Sequence, residues 1–126
     1  MSISTSGNVV VADATPENVT YSEVNNTGTM CVYSDRTREI GVPRTLTVSH
    51  QNVGSGDERR VRSLVKFTDC KENPSVEGDV VMGSIHLVFD TPQRIFEKAD
   101  ITDLQTQLVN LIGSANFVDK ITNQEV

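Results

Sequence analysis

The sequence predicts an α+β domain: an antiparallel sheet preceded by an N-terminal hairpin and followed by two C-terminal helices that pack on a second copy. Two observations predict it. In the long segments between Arg44 and Asp90 the apolar residues recur at intervals of two, the signature of half-buried strands, whereas from residue 100 they recur at three and four, the signature of one helix face. Strands gathered first and helices last argue for an antiparallel sheet instead of alternating βαβ units.

In chain order, Asn8-Val9-Val10-Val11-Ala12 and the run Asn18 to Val24 are β-rich and flank Asp13-Ala14-Thr15-Pro16-Glu17, so residues 8–24 read as a hairpin. Asn25-Asn26-Thr27-Gly28 breaks the chain before a strand carrying Met30, Cys31, Val32 and Tyr33, and the main sheet is expected over 29–90. Its long strands are Arg44 to Gln51, Glu58 to Asp69 and Val80 to Asp90. Asn52 to Asp57, with two glycines, reads as a hairpin connection, and Cys70 to Asp79, with Pro74 and Gly78, as a longer loop. Helices are expected over 100–122. The first carries Ile101, Leu104, Leu108, Val109, Leu111 and Ile112 behind an N-cap at Asp100 or Thr102; Gly113 ends it, and Ser114 caps a second with Phe117, Val118 and Ile121. A 12-residue helix is about 18 Å long, a thin cover for strands of this length. A second copy taking up the uncovered apolar surface, with the two sheets edge to edge, resolves the shortfall.

Composition narrows function. The chain of 126 residues is long enough for one domain, 1–126, with a core built from 37% hydrophobic residues. It contains no run of about 18 apolar residues, and Met1 to Gly7 lack the basic and apolar regions of a secretory signal, so a soluble, unexported chain is expected. Cys31 and Cys70 stand apart from each other and from His50 and His86, which gives no metal-ligand or redox spacing. No nucleophile-base-acid pattern frames either histidine; no enzyme activity, cofactor or metal is expected. Gly54-Ser55-Gly56 lacks the Lys and the following helix of a phosphate-binding loop.

One strand face is chemically equipped. Stepping by two gives Thr45, Thr47, Ser49 and Gln51; then Arg60, Arg62 and Lys66; then Ser84 and His86. The net charge of −6 opposes general affinity for nucleic acid, but charge is unevenly placed. Residues 44–66 hold five basic side chains (Arg44, Arg59, Arg60, Arg62, Lys66) against two acidic ones, and residues 67–126 hold four against ten. Hydroxyls that reach base edges, with cations that reach phosphate, suit single-stranded or looped RNA; no aromatic falls on the face in this register, and a merely solvated sheet is the competing reading.

Three stretches carry a resemblance. Arg44-Thr45-Leu46-Thr47-Val48-Ser49-His50-Gln51, Arg59-Arg60-Val61-Arg62-Ser63-Leu64-Val65-Lys66-Phe67, and the run Leu104 to Ser114 followed by Ala115 to Ile121 resemble, in order and spacing, the coat proteins of single-stranded RNA bacteriophages of the levivirus type. The resemblance implies a homodimer whose helices cross between subunits, with Leu104, Leu108, Leu111, Ile112 and Phe117 at the interface. It implies assembly into an icosahedral virion in the cytoplasm of a bacterial host, and a loop with Cys70, Pro74 and Gly78 between dimers; some members of the family crosslink there through cysteines, usually two, and with one here a free thiol is expected ahead of a disulfide between subunits. It further implies an inner sheet face that binds a genomic RNA stem-loop and represses translation, with Thr47 and Ser49 at its base-contacting hydroxyls, Arg60 and Arg62 on its basic strand and Ser84 and His86 at the polar positions of the last strand; Thr45, Gln51 and Lys66 join the expected RNA-binding set by their place on the same alternating face. The sequence departs from that family at Leu64, where a basic residue is usual, and at Ser84, where an aromatic is usual. A small RNA-binding regulatory dimer that never assembles is the alternative.

Overall fold

A computed structural model describes residues 2–3 and 8–124. Seven strands form one antiparallel sheet in sequence order: β1 (Ser2–Ile3), β2 (Asn8–Ala12), β3 (Asn18–Asn26), β4 (Met30–Asp35), β5 (Arg44–Val53), β6 (Arg60–Glu72) and β7 (Val80–Pro92). Helices α1 (Lys98–Ile112) and α2 (Phe117–Thr122) follow. The expected hairpin is β2–β3, and it continues the main sheet. The two-residue β1 has no counterpart among the strands read from the sequence.

The core sits on one face, around Val9, Tyr21 and Leu46, with Tyr33, Val48, Val65 and Phe67 packed against them. Its shape follows from one distance. Tyr21 lies on β3 and Phe67 on β6, three strands apart, which in a flat sheet is about 14 Å. Their rings meet edge to face with centroids 5.9 Å apart. The sheet therefore curls, and the β2–β3 hairpin folds over the apolar face of β5 and β6. A register shift between Glu23 and Asn25, where β3 meets β4, adds bend at the base of the hairpin.

Asp35 is buried beneath the hairpin and opposite Tyr21. Its Oδ1 accepts bonds from the Thr37 amide (3.0 Å) and hydroxyl (2.7 Å). Burial pushes its carboxyl up; the Thr37 bonds and the charges of Arg44 and Arg38 outweigh that and hold it below the usual range. Beside it, Asp69 meets Arg38 at 2.8 Å and Arg44 at 3.6 Å. The Asp69 Oδ1–Arg38 approach lacks the direction of a hydrogen bond and is an ion contact. Arg38 spends a directed bond on the Cys70 carbonyl at 2.8 Å, tying the β4–β5 connection to β6.

Several boundaries differ from those expected. β6 continues past Asp69 to Glu72, so Cys70 is not in a loop: it is a buried strand residue opposite Met82. The turn proper starts at Asn73, whose amide donates to the Asp79 carbonyl (2.8 Å) while its side-chain Oδ1 accepts from Ser75 N–H (2.9 Å); Pro74 and Gly78, the latter at φ +80°, lie within it. Helix α1 starts at Lys98. Asp100 is its third residue, where its carboxylate accepts the Glu97 amide (3.0 Å), and so is not the N-cap. The N-cap of α2 is Asn116, in the left-handed region at φ +68°; Ser114 closes α1, donating to the Leu111 carbonyl.

Candidate nucleic-acid interface

Pairing register decides which side chains share a face, because residues directly opposite across a ladder point the same way. The β4–β5–β6–β7 register sets out five transverse rows on the face away from the core. They read Ser34–Thr45–Thr68–Ser84, Val32–Thr47–Lys66–His86, Met30–Ser49–Leu64–Val88, Gln51–Arg62–Asp90 and Val53–Arg60–Pro92. All nine predicted residues, Thr45, Thr47, Ser49, Gln51, Arg60, Arg62, Lys66, Ser84 and His86, fall in this array. From Thr45 to Gln51 it runs about 20 Å along the strands, and from β5 to β7 about 10 Å across them.

The rows are not equivalent. Thr68 is buried, so the hydroxyls facing outward in the first row are those of Ser34, Thr45 and Ser84. Lys66 stands between Thr47 and His86 and forms no salt bridge among the described residues. Ser84 Oγ lies 3.0 Å from His86 Nε2, so the two polar groups expected on β7 are spent partly on each other. The middle row is apolar apart from Ser49: Met30 and Val88 are exposed and Leu64 half-buried, which places a hydrophobic strip across the array.

Asp90 is the residue the sequence reading missed. Arg62 is directly opposite it and donates from Nη2 to its Oδ2 at 3.2 Å, while Arg60 donates from Nε to its Oδ1 at 2.9 Å. Both carboxylate oxygens are thus engaged, and the hydrogen bond from Arg60, then that from Arg62, holds the Asp90 carboxyl below the usual range. The strand alternation that selected Ser84 and His86 also selects Asp90, four residues on from His86; what it lacked was the register that brings Asp90 to Arg62.

A second surface concerns association. The hairpin covers only part of the apolar face. Beyond it Ile85 is 78% exposed, and Val81, four residues before it on the same face, is exposed as well. A cavity of about 550 Å³ opens there, bordered by Tyr21, Phe67, Val81 and Ile85. β7 is the last strand, and none of its 13 residues has a ladder partner on the outer side among the described residues. Helices α1 and α2 bury none of their residues: Leu104, Leu111 and Ile112 are exposed, Leu108 and Phe117 half-buried. Between α1 and its own sheet lies a cleft of about 180 Å³ lined by Leu87, Phe89, Ile101, Leu104 and Leu108.

No protein-family model and no curated protein matches the chain. Solved structures do. The chain superimposes on a virus-like particle of bacteriophage GQ-907 with a TM-score of 0.73 at 14% identity, over 99% of this chain and 96% of that one. An unassembled virus coat protein dimer, described as a bacteriophage RNA-binding dimer, matches with a TM-score of 0.65 at 17% identity, over 98% of each chain. A bacteriophage GA capsid protein matches with a TM-score of 0.60 at 19% identity, again over 98% of each. The likeness is one of fold: a curled antiparallel sheet with an N-terminal hairpin and two C-terminal helices is the fold of these bacteriophage coat proteins.

Proposed function

We propose that this chain is the coat protein of a single-stranded RNA bacteriophage, a structural protein that dimerises and assembles into an icosahedral virion in the cytoplasm of its bacterial host. The observation that carries the proposal is the coincidence of two incomplete surfaces. An edge strand of 13 residues with apolar side chains exposed, left unpaired, is a template for uncontrolled association. Two helices without a buried residue do not hold their place in a lone chain. A two-fold axis beside β7 satisfies both: the edges pair, and each helical arm lies on the open half of the partner's apolar face, with Leu104, Leu108, Leu111, Ile112 and Phe117 available to it. The turn with Pro74 and Gly78, and Cys70 at its base, serves contacts between dimers.

In this reading the array around Thr47, Ser49 and Lys66 faces the enclosed RNA and takes a genomic stem-loop, repressing translation. Thr45, Thr47, Ser49 and Gln51 offer polar groups to base edges; Arg60, Arg62 and Lys66 reach phosphate; Ser84 and His86 border the site. Expression of the chain alone in bacteria, followed by nuclease treatment and electron microscopy, tests the proposal. Closed particles holding protected RNA are expected. A dimer that binds RNA and never forms particles would instead identify the non-assembling regulator.

A further inference from the structure

Arg60, Arg62 and Asp90 form a unit whose net charge is +1, although two of the three cations on the array belong to it. Lys66 is the other, and the whole chain carries −6. We infer that Asp90 is a specificity-determining counter-ion: it occupies the two guanidinium groups in the absence of RNA, so that only a strand whose bases also engage the neighbouring rows displaces it. The inference rests on the reading of this face as an RNA surface.

Geometry supplies the reason. A phosphate approaching Arg62 takes hydrogen-bond donors that Asp90 already holds, and it does so beside a carboxylate of its own sign. Both Asp90 oxygens are bonded and its side chain is one-third exposed, so the pair is a surface ion pair: weak enough to exchange, present enough to compete. Electrostatic attraction of indiscriminate RNA through these arginines is thereby reduced, whereas the uncompensated Lys66 and the hydroxyl rows remain open. Discrimination against wrong partners by a built-in repulsive element is a general route to specificity.

The test compares wild type with Asp90→Asn, which keeps the side-chain shape and an acceptor oxygen but removes the charge. The probe is a mixed-sequence single-stranded RNA of 30 nucleotides, titrated at pH 7 from about 50 to 200 mM salt. The variant is expected to bind about tenfold more tightly at the low-salt end, with a log–log salt slope steeper by about 0.7 to 1.4, one to two added phosphate contacts. Asp90→Glu retains the charge and is expected to keep the wild-type slope. Adding Arg60→Ala and Arg62→Ala to Asp90→Asn should abolish the gain, and circular dichroism reports that each variant folds. Binding by Asp90→Asn that is unchanged or weaker, with wild type binding measurably, overturns the counter-ion role alone. If neither protein binds at any salt concentration, the RNA reading of the face falls and the counter-ion role falls with it.

Discussion

Arg44 and Asp69 stand directly opposite each other across the β5–β6 ladder, Nη2 to Oδ2 at 3.6 Å, and Arg38 reaches the same carboxylate from the β4–β5 connection. Of the two arginines, Arg38 carries the more, because it also donates to the Cys70 carbonyl. Arg38→Ala is expected to destabilise by about 1–2 kcal/mol, and Arg44→Ala by under about 1 kcal/mol, since partly exposed ion pairs contribute little. Urea unfolding of the two variants side by side checks the order.

Leu46 is 2% exposed and sits between Tyr33 and Phe67 in the ladder, beneath the folded-over hairpin. Leu46→Ala removes a large side chain from the place where hairpin and sheet meet. A loss of about 2–5 kcal/mol is expected. Thermal unfolding measures it; a loss below about 1 kcal/mol would show that the hairpin does not seal the core.

Acid should weaken the fold in a defined direction. Asp35 has its carboxyl held below the ordinary range in the folded chain: burial opposes ionisation, and the Thr37 hydrogen bonds with Arg44 and Arg38 overcome it. A carboxyl depressed in the folded state contributes stability that is fully present above its unfolded pKa, about 3.9, and is lost as pH falls through the folded value. Stability should therefore be level with respect to this group near neutrality and decline below about pH 4. Asp35→Asn should be less stable than wild type at pH 7, the two curves converging as pH drops. Urea midpoints across pH 2.5 to 7 provide the check.

Lys66 is the cation on the array with no carboxylate partner among the described residues. Lys66→Ala is expected to reduce the magnitude of the log–log salt slope for single-stranded RNA binding by about 0.7, one phosphate contact, without altering the oligomeric state. An unchanged slope would remove Lys66 from the interface.

Much of this architecture is legible in the sequence because alternation over long strands leaves few alternatives. Thr45, Thr47, Ser49 and Gln51 could only share a face, and the register then set Thr47 beside Lys66 and His86. What was not legible depends on partners distant in the chain. Cys70-Lys71-Glu72 reads as loop by its polarity, yet it pairs with Val80, Val81 and Met82, which extends β6 by three residues. Asp100 suits either an N-cap or the third helical position, and the Glu97 amide decides between them. The fold-over that brings Tyr21 to Phe67 is tertiary, invisible to any period along the strand. Asp90 meets Arg62 only through β6–β7 pairing, so its role could not be read locally.

Ile85 tests the association surface at one residue. It lies on the apolar face of β7 and is 78% exposed in the single chain, so Ile85→Asp leaves the subunit's own packing intact. If a second copy covers it, a buried unpaired carboxylate weakens association by at least about 2 kcal/mol, roughly 30-fold. Sedimentation should then show folded monomer where wild type associates; assembly equal to wild type would move the interface elsewhere.

If another copy of the same chain completes β7 and the helical arms, the mass of the purified protein in solution exceeds that of one chain. Light scattering coupled to size separation should find the 13.8 kDa chain in dimers at the least, and in closed shells where assembly has run its course. A monodisperse, folded monomer across the micromolar range would contradict the account.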